Sequence, residues 1–236
     1  MTKIMVDGGH GGKDGGAQGN GLSEKVLTLK ICQKIKEKLE EYENITVGMT
    51  RNTDMYLDLS KRADMANRWN ADAFISVHIN SATTTSARGF ESFIYKDSPS
   101  AKTQAFQNGV HAEIMKQIKN DMPDRGKKRA NFAVLRETGM IALLTENGFI
   151  VNGSDASKLK NDSFLDRLAQ GHVNGIVSFF GLKKKEVPKT SSGATIVKPT
   201  GKLFKVQCGA FEDIDNAKVL VNRLQKSGYS AFITEE

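Results

Sequence analysis

The chain has 236 residues, 39% of them hydrophobic and 26% charged, with a formal net charge of +7. That is the make-up of an ordinary globular protein, long enough for one full core and a small extra module. No stretch approaches the roughly 18 consecutive apolar residues that span a bilayer, and the first residues lack a basic region followed by an apolar run. The expectation is therefore a chain made in the cytoplasm without signal peptide or membrane insertion. Residues 182–205 carry +6 and residues 206–236 carry −2, which leaves about +3 on residues 1–181. An excess that sits mostly in a tether argues against a nucleic-acid partner. Cys32 and Cys208 fall in different predicted domains and are expected to be buried, reduced thiols.

In chain order, strands are expected at residues 3–7, 45–51, 73–80, 89–96, 131–136 and 141–146, where short apolar or alternating runs occur. Helical stripes separate them. Leu22, Val26, Leu29, Cys32, Ile35 and Leu39 recur at steps of three and four, with Ser23 as a candidate N-cap. Leu59, Ala63 and Ala66 form a second stripe, Val110, Ile114 and Ile118 a third, and Leu165, Leu168, His172 and Ile176 a fourth. Strands alternating with helices predict an α/β fold, a mostly parallel twisted sheet with helices on both faces. Residues 182–202, rich in Lys, Ser and Pro, read as a solvated linker between a domain at 1–181 and a tail at 203–236. The tail reads as a strand at 203–211, a helix at 216–226 ended by Gly228, and a strand at 229–234.

Four residues of the first domain stand out chemically. His10 sits in a Gly-rich turn at the carboxyl end of the first strand, the edge of an open α/β sheet where sites are built. Taken alone it is equally a hydrogen-bonded turn histidine. Glu24 falls in the first turn of a helix, where the dipole favours an anion, and by itself reads as a helix-start charge. Ser76, His78 and Asn80 share one side of a strand whose other side is Ile75, Val77 and Ile79. Such a polar row is out of place in a strand buried on both faces. Glu146 ends the apolar run Ile141-Ala142-Leu143-Leu144-Thr145, where desolvation would raise its pKa, although it could also cap the turn that follows. Two imidazoles and a carboxylate with one open position suit catalytic zinc, and a second carboxylate suits proton transfer.

The strings DGGHGG, GLSEK, TRNTD, ADAFISVHINS, GFESFIY, DRGKK, VLRET and LLTENGFI follow one another from residue 3 to about 181. In that order they resemble the amidase 3 family of N-acetylmuramoyl-L-alanine amidases, with particular likeness to short Bacillus-type wall amidases and phage endolysins. The resemblance implies Zn2+ held by His10, Glu24 and His78, with Glu146 as general acid/base. It also implies hydrolysis of the amide between N-acetylmuramic acid and L-alanine in peptidoglycan. Gly8 and Ile141 stand where the family commonly has Pro. Glu91, Asn80 and Arg51 are candidate substrate or ligand-orienting residues, with a structural salt bridge as the other reading of Arg51. His111 and His172 lie at or on apolar helical stripes and are read as core histidines.

The tail, with KVQCGAF and NAKVLVNRLQKSGYSAFI, resembles one repeat of the sporulation-related SPOR peptidoglycan-binding module. The full module has two such units, so the expectation is a homodimer that pairs two half-modules. The resemblance implies an endolysin or autolysin that reaches the wall after phage or mother-cell lysis. A non-catalytic peptidoglycan-binding protein is the main alternative. A glycoside hydrolase built on Glu24, Glu91 or Glu146 would leave both histidines idle.

Overall fold

The computed structural model describes residues 1–186, 208–211, 214–226, 229 and 231–234. It divides into two units, Met1–Val187 and Pro188–Glu236.

The first unit is built on six strands: β1 (Thr2–Gly8), β4 (Ile45–Met49), β5 (Ala73–Asn80), β6 (Phe90–Tyr95), β7 (Asp124–Ala130) and β8 (Ile141–Phe149). Their order is β4-β1-β5-β8-β6-β7. Every neighbouring pair is parallel except β6 with β8. A two-stranded hairpin, β2 (Gln18–Gly19) and β3 (Leu22–Ser23), lies outside this sheet. The helices are α1 (Glu24–Leu39), α2 (Leu59–Arg68), α3 (Ala101–Ile118), α4 (Ala133–Arg136), α5 (Gly153–Leu159) and α6 (Asp162–Phe180). The mostly parallel α/β sheet expected from the alternation is present.

Alternation along the strands sorts the core into two layers. Ile4, Val6, Ile75, Val77, Ile79, Leu143 and Phe90 pack under α1, α3 and α6 in the larger cluster. Met5, Phe74, Ala142 and Leu144 face the smaller cluster with Ala66 of α2 and Val134 and Leu135 of α4. Residues two apart share a face of a strand, so His78, Glu146 and Glu91 belong to the thinner, second side.

Three local expectations are corrected. Residues 131–136 form no strand, because Val134 and Leu135 are adjacent and both bury into one cluster, which a turn of helix allows and an alternating strand does not. The strand is instead β7, whose sequence Asp-Arg-Gly-Lys-Lys-Arg-Ala has no apolar alternation. As an edge strand it needs none, and charge there discourages pairing with other chains. On α1 the buried side runs through Leu27, Ile31, Cys32, Ile35 and Leu39, while Val26 is exposed. Ser23 occupies the N-cap position without capping; its hydroxyl donates to the Gly15 carbonyl.

The start of the expected linker is pinned to the first unit. The Lys185 amide donates to the Glu41 carbonyl, the Glu43 amide to the Lys183 carbonyl, and Lys184 pairs with Glu41. The remainder of the linker, residues 187–202, lies outside the described residues, as do residues 203–207 and Gly228. In the second unit α7 (Ile214–Lys226) forms, but the described residues 208–211, 229 and 231–234 are in no strand. A strand-helix-strand unit has too little sheet to be stable by itself. Cys32 is buried as expected, whereas Cys208 is exposed, and both thiols are free.

His172 is wholly buried in α6, with Nε2 3.0 Å from the Thr145 hydroxyl and Nδ1 2.9 Å from the Leu168 carbonyl. Burial drives its pKa down to about 4, so it is neutral in the native state. The unfolded imidazole takes its proton near 6.5. The stability this contributes is therefore complete above 6.5 and is lost as pH falls toward 4. In urea denaturation, the wild type should lose about 2–3 kcal/mol more than His172→Gln between pH 7 and 4.5. Equal losses would show that His172 is not the titrating group.

Candidate active site

β1 ends in Gly8 and runs into a turn that carries His10 at φ 64°, a left-handed conformation. Three buried groups hold this turn. Asp7, fully buried at the end of β1, pairs with Arg62 of α2 at 2.8 Å and accepts from the Thr50 and Ser76 hydroxyls. Arg62 also donates to the carbonyls of Gly8 and His10. Arg51 donates to the carbonyls of Gly8, Gly9, Lys25 and Thr53 and to the Thr28 hydroxyl. At 1% exposure Arg51 cannot touch a substrate, and it makes no carboxylate pair among the described contacts. Its hydrogen bonds orient the backbone that carries His10, as the ligand-orienting reading of Arg51 would have it.

Glu24 begins α1 and is nearly buried. Its Oε2 accepts from the Ala17 amide at 2.8 Å and its Oε1 from the Ile79 amide at 2.9 Å. So anchored, the carboxylate meets His10 Nε2 at 3.2 Å and His78 Nδ1 at 3.0 Å. The two rings stand nearly perpendicular with centroids 5.1 Å apart. Asp14 Oδ2 lies 2.8 Å from His10 Nδ1, which fixes the tautomer that leaves Nε2 directed at Glu24. Burial alone would push the Glu24 carboxyl up, but both imidazoles hold it far below the usual range. Burial would likewise lower His10, and Glu24 and Asp14 raise it instead.

One donor atom from each of His10, Glu24 and His78 falls within 4.8 Å of the other two. Tetrahedral zinc with bonds near 2.1 Å sets its ligand atoms roughly 3.4 Å apart, so the donor types suit such an ion and the trio is compact enough to close on one. The site is open enough to receive one: His10 and His78 border a cleft of about 70 Å³ with Tyr56, Leu57 and Leu59. A shallower groove of about 470 Å³ runs along the β2–β3 hairpin past the exposed Val26.

Glu146 stands beside His78 in the parallel β5–β8 register and opposite Glu91 in the antiparallel β6–β8 register. Its Oε2 is buried without a hydrogen-bond partner among the described residues. Desolvation, with the charges of Glu24 and Glu91, raises its pKa well above the carboxylate norm. Both carboxylates are withdrawn from water, but Glu146, unlike Glu24, has no partner for its buried oxygen among the described residues and favours the proton. Asn80 and Glu91 bond to each other at 2.7 Å. Glu91 is buried and is further held by Arg125 and Lys128, so its own carboxylate is fully engaged. His111, bonded to Ser92 and Asp124, and His172 sit away from this cluster as satisfied core groups.

Asp7, Asp14, Arg62, Arg125 and Lys128 were not singled out from the sequence. A carboxylate at the end of a buried strand, as Asp7 is, demands a cationic partner, and that demand was the one available signal. The partner lies 55 positions away and leaves no local trace.

Two imidazoles and an anchored glutamate at the carboxyl edge of a parallel sheet, with a free glutamate beside them, form the arrangement from which metal-assisted hydrolases are built. Residues 4–178 match the family model described as N-acetylmuramoyl-L-alanine amidase, and residues 182–236 match the SPOR domain. The chain belongs to the N-acetylmuramoyl-L-alanine amidase family and carries a SPOR domain at its C-terminus. It is 46% identical over 234 residues to the sporulation-specific N-acetylmuramoyl-L-alanine amidase of Bacillus subtilis, covering 99% of this chain and 84% of that one. To the endolysin of Bacillus phage SPP1 it is 45% identical over 205 residues, covering 83% of this chain and 75% of that one. The solved catalytic domain of CwlV, an N-acetylmuramoyl-L-alanine amidase from Bacillus (Paenibacillus) polymyxa, superposes with a TM-score of 0.73 at 32% identity. That match covers 78% of this chain and the whole of the other.

Gly9 tests the closeness of this packing. A Cβ there would lie 2.3 Å from the His78 ring, so Gly9→Ala must push the imidazole off Glu24. Expected is a fall of about 10–100-fold in zinc affinity, the usual scale for disturbing groups that orient metal ligands, read by competition with a chromogenic chelator. Unchanged affinity would show that His78 does not hold the ion.

Proposed function

We propose that the chain is a zinc-dependent N-acetylmuramoyl-L-alanine amidase that hydrolyses the amide between N-acetylmuramic acid and L-alanine in peptidoglycan. The observation that carries this reading is the convergence of His10, Glu24 and His78 on one small volume beside an unpaired, desolvated Glu146. His10, Glu24 and His78 would hold the zinc, which when bound supplies Lewis-acid polarisation and an acidified water. Glu146, with its raised pKa, accepts the proton of the attacking water and passes it to the departing L-alanine nitrogen. Asp14, on the Nδ1 side, keeps the His10 ring aligned and leaves Nε2 for the ion. Met55, Tyr56 and Leu59, exposed around the cleft, offer an apolar lip to the sugar and lactyl groups.

The SPOR domain would keep the enzyme on the wall it cuts. Phe211, Tyr229 and Phe232 of the tail are exposed, an apolar surface suited to a second half-module in a homodimer. Among the described residues no helix is long and apolar enough to cross a membrane. The likeness to a phage endolysin and to a sporulation-specific amidase supports passage to the wall by lysis of the producing cell, as a phage endolysin or an autolysin. A purely monomeric mass for the full chain across micromolar concentrations in sedimentation would remove the dimer.

Digestion of purified peptidoglycan with and without chelator, followed by mass spectrometry, tests the activity. New L-alanine amino termini that vanish with chelator and return with zinc are expected, and new reducing sugar ends would contradict the reading. Glu146→Gln should lower kcat by about 10²–10⁴-fold while zinc content stays at one equivalent. A variant that clears wall at the wild-type rate would remove Glu146 from its role.

A further inference from the structure

One row of charges crosses the sheet beyond Glu146. His78, Glu146 and Glu91 occupy matched positions on β5, β8 and β6. Beyond Glu91, Arg125 Nε of β7 donates to its Oε2 at 2.8 Å, and the Lys128 ammonium meets the same oxygen. The other oxygen, Oε1, accepts from Asn80. Two cations thus share one buried carboxylate, leaving a net positive charge. Both remain accessible, Arg125 with 35% and Lys128 with 39% of its side chain exposed. The Arg125 guanidinium rests over the Phe149 ring, 4.8 Å from its centroid, and Lys128 lies over Phe93. These contacts restrict both side chains, as expected of preorganised groups. By contrast, Lys127 and Arg129 of the same strand reach Asn108 and Gln104 of α3.

We propose that Arg125 and Lys128, held in place by Glu91, form a carboxylate-binding subsite that receives a free carboxylate of the stem peptide on the leaving-group side of the scissile amide. The inference rests on the amidase reading above. Cross-strand neighbours place their side chains about 5 Å apart, so the cationic heads on Glu91 lie roughly 5–8 Å from the Glu146 carboxylate. The stem residue after L-alanine is an acidic one joined through its side chain, and its α-carboxyl is either free or amidated. From the L-alanine nitrogen to that group is somewhat under two residues of extended chain, roughly 6–7 Å. The spacings match, and an arginine fork with a lysine beside it suits a carboxylate over a neutral amide. Glu91 acts here as a positioning residue: it fixes both cations and contacts no substrate.

Two soluble muramyl tripeptides that differ only in carboxylate or carboxamide at the second stem residue provide the test, with the full chain loaded with zinc. For the wild type, kcat/KM should favour the carboxylate by about 10–100-fold, the scale of hydrogen bonds to a charged group, expressed mainly in KM. In Arg125→Gln/Lys128→Gln that ratio should fall to about one, and Arg125→Lys should keep part of it. Should the double variant misfold, Lys128→Gln alone leaves Arg125 on Glu91 and should lower the ratio partway. Equal wild-type rates on the two substrates would overturn the subsite. So would variants that lose rate equally on both, because that marks a structural effect. Cleavage of neither substrate by the wild type would overturn the amidase reading and the subsite with it.

Discussion

The buried pair of Asp7 and Arg62 is the constraint on which the rest depends. Asp7 has no exposure and Arg62 almost none, so each would be untenable without the other. Their joint effect is geometric. Asp7 ties β1 to Thr50 after β4 and to Ser76 of β5, while Arg62 carries the same fixation into the Gly8 and His10 carbonyls. Arg51 grips the Gly8 and Gly9 carbonyls from another direction. Gly8 has no intrinsic stiffness, and the proline common at this place in the family is missing. Two arginines supply from outside the rigidity that the turn lacks.

The division between the two glutamates follows from what surrounds them. Glu24 and Glu146 are chemically identical and both withdrawn from water, yet their acidities are displaced in opposite directions. Two backbone amides and two imidazoles face Glu24 and stabilise its anion. Near Glu146 the influences are desolvation and two other carboxylates, which favour the proton. Glu91 adds to that pressure only because Arg125 and Lys128 keep it ionised, since burial alone would raise its own pKa. The cations on β7 therefore bear on Glu146 through an intermediate charge, without touching it.

Much of this was legible in the sequence where local pattern and burial coincide. The strands β1, β5 and β8 are continuous apolar runs, and His78 and Glu146 announced themselves as polar interruptions of those runs. Glu24 was not legible alone: in the first turn of α1 its charge is what any helix start favours, and only the ordered family motifs made it a candidate ligand. β7 was missed because an edge strand of charged residues has no hydrophobic period. The burial of Leu27 and Ile31 in place of Val26 was missed because α1 is apolar on adjacent stripes, and the hairpin and sheet around it decide which one faces inward. Arg62 carries no local signal, and Arg51 reads as a substrate or ligand-orienting residue or a structural salt bridge, since nothing local reveals that the carbonyls of a distant turn await both.

The one antiparallel pairing within the six-stranded sheet explains why so many charged groups meet in one place. In an all-parallel sheet only carboxyl ends of strands reach the site edge. Here β6 runs against β8, and β7 runs with β6, so the amino ends of β6 and β7 arrive beside the carboxyl ends of β5 and β8. Asp155 secures that junction, its Oδ2 accepting from the Gly89 amide before β6 and from the Phe149 amide at the end of β8. The reversal brings Glu91, Arg125 and Lys128 to the edge that holds His10, Glu24, His78 and Glu146. A parallel continuation would have directed the opposite ends of those strands there, and with them the chain around Tyr95 and Ala130. The direction of one strand thus decides whether Glu146 has a cationic flank.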